Sequence, residues 1–568
     1  MAFSRPKSHY ITKLHRPSST LESFMSRRPS PDASSVSLLD RRALLQIGLA
    51  AQAAIAFGTP AFAQGAAGDD LKFGPAEPFS YDGLKTLAKG KAAKPYAEPP
   101  RPNPEIVRKI DYDAHGKLKF NPEHALYGKS PGAYPITFMH VGQFFPKTVR
   151  MHAVAEGKSR EILYDPAYFD MPADHVAKGL PPQPSAYAGL WIREAKDQVT
   201  DKGDWKTREP FATFLGASYF RAIGGKGQVG MSARGVALFP QPGAAEEFPD
   251  FTAFWFEPAK ADGDPVTVYA LLDGPSLAGA YRFLIHRTAG TLMEIEATVT
   301  MRQDVPRLGL AALTSMYWFS EAQKPSLIDW RPEVHDSDGL AMWTGAGERI
   351  WRPLNNPPRI MTSSFTDERP RGFGLLQRDR VFDHYQDGVK YQDRPSTWIE
   401  PVGDWGKGVV QLVELPTDDE IHDNVVAYWI PSEPTKAGDT VALAYKLHWL
   451  DEEPYPPPLG RVVATRLGRG GQPGLPRPPG VRKFMIEFLG GPLTDIPYGQ
   501  TVEPVLWASR GTFSYVFAEA VPSDVPGHWR AQFDLTAEGP EPVEMRCYMK
   551  VGDRVLTETW LYQYIPPA

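Results

Sequence analysis

Cysteine is almost missing from this 568-residue chain: Cys547 stands alone. A single thiol allows no internal disulfide, no CxxC redox pair and no cysteine-rich zinc site. The residues around it, Met545 to Met549, mix polar and apolar positions as a strand does, so Cys547 is expected to act as a small apolar residue. Long apolar runs are also scarce. No window offers the roughly 18 or more apolar residues that a transmembrane helix needs. Basic excess is lacking too, with Lys+Arg 62 against Asp+Glu 67 and a formal charge of −5. A phosphate-backbone partner calls for clustered cations, and nucleic acid is set aside. No Walker loop, HExxH or GxSxG occurs, so nucleotide, zinc-protease and serine-esterase chemistries have no motif. Gly225-Lys226-Gly227-Gln228-Val229-Gly230 matches GxGxxG, yet Met231 to Leu238 follows with strand composition where a dinucleotide site needs a helix. A glycine-rich hairpin is expected there. No cofactor is expected, and His335, Asp336 and Asp338 lack the further clustered ligands that a metal would require.

What is present points to a turn-rich globular protein. Gly 50 and Pro 57 occur without period, and aromatics reach 12%, with 14 Trp, 23 Tyr and 29 Phe. That many rings are not left in a solvated coil. Near the N-terminus, Arg41-Arg42 is followed by an apolar stretch to Phe57 and by Ala61-Phe62-Ala63. This pattern is a bacterial export signal, and the paired arginines point to the twin-arginine route. Removing residues 1–63 takes away eight Lys/Arg and three Asp/Glu, which moves the formal charge to −10. The mature product is expected to be soluble and periplasmic.

Residues 64–105, rich in Ala, Lys, Gly and Pro, read as an arm with a short helix around Tyr81 to Lys89. From 106 to 450 short runs of β-branched and aromatic residues alternate with Gly, Pro and Asp, as in Val266 to Leu272 and Val441 to Leu450. Helical periodicity is limited to short pieces, Pro166 to Val176 and the stretch near Ala245. The expectation is an all-β chain with antiparallel sheets stacked as a large sandwich. Residues 451–482 hold eight prolines with several glycines and read as a linker. Beyond it, 483–568 offers five strand candidates and suits a small immunoglobulin-like sandwich without a disulfide.

The densest polar and aromatic region runs from Trp330 to Trp429. It contains Arg331 to Gly339, Trp351 to Pro357, Tyr391 to Ser396, Glu400 to Gly408 and Asp418 to Asn424. Carboxylates beside rings suit a glycan cleft, where sugar faces stack on aromatics and two carboxyls supply acid and base. The competing reading makes Asp336 and Asp338 Asx turns and Asp418 to Asp423 a solvated loop.

Several strings resemble one family. They are Leu215 to Arg221, Gly230 to Gly235, Glu246 to Pro249, Thr314 to Met316, Arg331 to Gly339, Trp351 to Pro357, Gly372 to Arg378, Trp405 to Gly408 and Asn424 to Trp429. Together they are similar to the osmoregulated periplasmic glucan biosynthesis proteins. The resemblance implies a large galactose mutarotase-like β-sandwich followed by an immunoglobulin-like domain. It implies work on the β-1,2-glucan backbone, with members acting as inverting endo-β-1,2-glucanases. The family's acid falls on Asp423 and its base on Asp336, with Asp338 a second candidate for the base. The substrate-contacting tyrosine falls on Tyr391. Trp351, Arg352, Arg394, Trp405 and Trp429 are the further candidates for substrate contact. The alternative to a hydrolase is a non-catalytic glucan-binding scaffold that assists a membrane glucosyltransferase and its glucan-synthesis machinery. Oligomeric state stays open, a homodimer included.

Overall fold

A computed structural model describes residues 70–181, 185–239, 245–324, 327–497 and 499–566. The export signal lies outside the described residues. The chain is predominantly β-sheet, and no helix among the described residues is long and apolar enough to cross a membrane.

Two large sheets hold the core. In one, the strands Val266–Asp273, Leu277–Arg287, Thr291–Met301 and Thr440–Leu450 pair antiparallel in sequence. Thr291–Met301 shows why they form: its residues alternate buried and half-buried over most of its length, the period-2 signature of a strand with one face inward. The facing nine-stranded sheet includes Met361–Glu368, Lys407–Glu414, Val425–Pro431, Arg307–Ser315, Ser232–Phe239 and Tyr219–Ala222, in that spatial order. Met293 and Ile295 of the first sheet share one apolar cluster with Val236 and Leu310 of the second. Phe283 meets Phe214 and Phe220 edge to face, with ring centroids 5.2 Å apart in both pairs.

The arm carries the expected helix, Tyr81–Ala92. Ser80 caps it by accepting from the Gly83 amide at 3.1 Å, Asp82 lies in its first turn, and Lys89 and Lys91 lie in its last. Leu84 and Ala88 pack on the outer face of the first sheet against Tyr269, Leu271 and Ala280. Pro166–Tyr168 and Val176–Gly179 are 3-10 turns. Residues 225–230 form a glycine turn between two antiparallel strands, Tyr219–Ala222 and Ser232–Phe239.

Residues 451–482, read as a linker, differ from that expectation. They contain the strand Arg461–Arg469, which pairs antiparallel with Val481–Leu489. The prolines fall on either side of it, and Val462 and Thr465 point inward, Thr465 accepting from Trp560 Nε1 at 3.0 Å. The C-terminal region stacks a four-stranded sheet against Val543–Val551, Thr559–Tyr564 and Glu503–Ala508. Cys547 lies buried in that interior. The larger sheet does not stop at this region: Thr559–Tyr564 pairs in parallel with Arg349–Pro353.

Three tryptophans lie over glycines of neighbouring strands. A Cβ on Gly339 would stand 2.2 Å from the Trp351 ring, one on Gly372 2.5 Å from Trp398, and one on Gly408 2.4 Å from Trp429. Each ring fills the space that the missing side chain leaves, a device that pins register across the pair.

Candidate active site

The turn after Arg307–Ser315 organises the site. Met316 O accepts from the Asp336 amide at 2.8 Å. Ser315 and Ser337 join their hydroxyls at 2.7 Å. On the other side, Asn424 Oδ1 accepts from the Tyr317 amide at 2.8 Å, and Asn424 Nδ2 donates to Tyr317 O and Leu415 O, both at 2.9 Å. The segment 315–317 therefore holds Asp336 and Asp423, neighbours of these anchors, on its two flanks.

Asp336 is fully buried, with Arg394 as its ionic partner. Neither of its oxygens accepts a hydrogen bond of good geometry from the described residues. Arg394 is itself buried and lies 4.2 Å from the centre of the Tyr391 ring. Burial lowers its pKa to about 10, against the pull of Glu420 and Asp423. Tyr391 Oη donates to Glu420 at 2.6 Å, and Glu420 is paired with Arg331, which also binds Asp387 at 2.8 Å and Asp329 at 3.0 Å. The network holds Tyr391, the ring on which Arg394 stacks.

Asp423 titrates above the usual carboxylate range because burial disfavours its anion. Arg221, Arg234, Arg394 and His422 pull the other way without cancelling it. Sequence reading gave no role to Arg221 and Arg234. The available signal was an arginine standing inside an otherwise apolar strand, as in Met231 to Leu238.

Asp338 sits differently from Asp336. Its carboxylate accepts from the Arg378 amide at 3.0 Å and the Asp379 amide at 2.9 Å, which staples a loop. His335 is buried between Gln377 Oε1 at 2.9 Å and Glu333 at 3.0 Å. Burial opposes its charge, but Glu333, with Asp338 and Asp379, favours it and its pKa is raised. Glu333, Asp379 and His384 bring ligand atoms within 4.8 Å of one another. Glu333 is taken by His335 and Asp379 by His384 at 2.5 Å, so charge pairing accounts for the group.

The remaining candidates lie elsewhere. Trp351 is 4% exposed and sandwiched between Gly339 and the Arg378 guanidinium, 3.8 Å from its ring. Arg352 is closed by Glu414 at 2.9 Å, both buried. Trp429 is 1% exposed in the core. Trp405 donates to Ala444 O at 3.1 Å and precedes Lys407–Glu414, whereas Asp423 precedes its antiparallel partner Val425–Pro431. The two stand at opposite ends of a strand pair roughly 20 Å long. Arg394, stacked on Tyr391, pairs with Asp336 and acts electrostatically on Asp423.

Comparison with known proteins shows the family to which the chain belongs. Residues 79–564 match the family model described as periplasmic glucan biosynthesis protein, MdoG. The chain is 59% identical over 498 residues to glucans biosynthesis protein D 2 of Ralstonia nicotianae, covering 87% of this chain and 92% of that one. It is 44% identical to glucans biosynthesis protein D of Stenotrophomonas maltophilia, covering 91% of this chain and 96% of the relative. For the Xanthomonas oryzae pv. oryzae protein of that name the identity is 42%, over 93% and 98% of the two chains. The site residues and the strands that carry them fall inside the matched span, and the chain belongs to the periplasmic glucan biosynthesis family and, within it, to the D proteins.

Proposed function

We propose that the protein is a periplasmic endo-β-1,2-glucanase that trims or sizes glucan by an inverting mechanism. One observation carries the reading: two aspartates in unlike surroundings flank the same turn. Asp423 is raised by burial and suits a proton donor. Asp336, paired with the Arg394 guanidinium and with no other donor to its oxygens among the described residues, suits a proton acceptor. A water oxygen attacks the anomeric carbon and its proton passes to Asp336, directly or through a water or a substrate hydroxyl. The glycosidic C–O bond breaks, and the departing oxygen takes the proton of Asp423. Tyr391 and Arg394 hold the base side in place.

The family resemblance also supports assigning the two sandwiches as galactose mutarotase-like and immunoglobulin-like, and the leader as a twin-arginine signal. Mature protein still reaching the periplasm after Arg41→Lys with Arg42→Lys would remove the latter.

The decisive experiment is reducing-end release from linear β-1,2-glucan by purified protein, with inversion followed at the new anomeric centre. Release with inversion is expected. Glucan binding without release would leave the scaffold that serves a membrane glucosyltransferase.

A further inference from the structure

Arg331 has no part in the mechanism above, yet three segments around the site converge on it. Its backbone is fixed: the amide donates to Asp329 Oδ1 at 2.8 Å, and the carbonyl accepts from Lys324 Nζ at 2.6 Å. Its side chain is 8% exposed. The guanidinium donates to both oxygens of Asp329 at 3.0 Å, to Asp387 at 2.8 Å and to Glu420.

The two distant carboxylates belong to different loops. Asp387 lies in the loop that leads into Tyr391–Asp393, and Glu420 lies three residues before Asp423. Glu420 Oε2 also accepts from Tyr391 Oη at 2.6 Å. One guanidinium therefore ties the loop of Tyr391 to the loop of Asp423. Its rigid planar fork can serve three carboxylates at set angles, which a lysine ammonium on a flexible stem does not reproduce.

The backbone around Asp387 shows that the tie bears on the loop's shape. Gln386 and Lys390 have φ of 54° and 59°, the left-handed region that residues other than glycine seldom adopt. Between them Asp387 is buried, while Phe382 and Val389 of the same loop stand exposed. A loop tip that leaves apolar side chains in solvent and brackets one buried carboxylate with strained residues is held by that carboxylate more than by packing.

We propose that Arg331 is a positioning residue that clamps the Tyr391 loop and the Asp423 loop into one geometry, acting through Asp387 and Glu420. The clamp rests on the hydrolase reading given above.

The test has one arm that needs no glucan. In the full chain carrying Arg331→Gln, amide hydrogen exchange read by mass spectrometry should quicken about tenfold or more in 386–393 and 417–423, the loss expected when hydrogen bonds to a charged group are removed. The strands of the C-terminal region should exchange as in the wild type. Exchange that quickens everywhere, or in neither loop, overturns the clamp. The second arm is turnover on linear β-1,2-glucan. Misplacing a reacting group by about 1 Å can cost about 10² in rate, so kcat should fall about tenfold to a hundredfold, with partial recovery in Arg331→Lys. Wild-type kcat beside loosened loops also overturns the proposal. If Arg331→Gln does not fold, Asp387→Asn decides: exchange should quicken in 386–393 and not in 417–423, and an unchanged 386–393 overturns the clamp. A wild-type protein that releases no reducing ends removes the hydrolase reading, and the exchange arm then decides the clamp alone.

Discussion

Replacing Asp336 or Asp423 by Asn keeps size and most hydrogen bonding while deleting a titrating group. Positioned acid or base catalysis contributes about 10² to 10⁴ in rate, so kcat on β-1,2-glucan should fall by that range in each variant while binding survives. Asp338→Asn is the control. Its carboxylate holds two backbone amides, a task that an amide oxygen performs in part, so much more turnover should remain. Wild-type kcat in Asp336→Asn would remove the assignment. The acid also sets a pH dependence. Asp423 must be protonated to act, and its raised pKa means that activity is lost as pH rises through that value. Arg221 lowers this pKa, so Arg221→Gln should raise it and carry the alkaline limb of kcat/KM to higher pH. A limb that stays in place or moves to lower pH would show that Asp423 is not the group titrating.

At the scale of strands, the glycine and tryptophan pairs make a strict demand. Gly339→Ala puts a methyl group 2.2 Å from the Trp351 ring, and chemical denaturation should report a loss of about 1–3 kcal/mol. An unchanged midpoint would mean that the ring is free to move. These pairs also explain what could and could not be read from sequence. Val266–Asp273, Thr440–Leu450 and Val543–Val551 were legible because each has β-branched or aromatic composition between turn signals. Arg461–Arg469 was hidden because prolines on both sides outweigh nine residues of pattern. At the site, Asp336, Asp423 and Tyr391 came from motif resemblance, and their loops are gathered by the 315–317 turn. Trp351 and Trp429 pack over glycines of the next strand, which the sequence does not reveal. A tryptophan beside charged residues in sequence reads the same whether its ring faces a sugar or a glycine of the next strand, and only the cross-strand register distinguishes them.

At the scale of the molecule, the C-terminal region is joined to the large sandwich by more than packing. The parallel pair of Arg349–Pro353 with Thr559–Tyr564 continues one sheet through both. Trp351, Trp398 and Leu376 share an apolar cluster with Val462, Trp560 and Tyr562. Arg378 binds Glu558 at 2.5 Å and Glu453 at 3.1 Å. Calorimetry should therefore show one unfolding transition, and two resolved transitions would show that the regions are independent. The same strand pair bears on the order of assembly during synthesis. Arg349–Pro353 leaves the ribosome about two hundred residues before its partner, and until then its outer edge has no neighbour. An unpaired edge is a template for other chains, so this molecule carries its greatest risk of misassociation while unfinished. Thr559–Tyr564 works as a closure that only a full-length chain can supply, and products truncated before it should be recovered as aggregates rather than as shorter folded proteins.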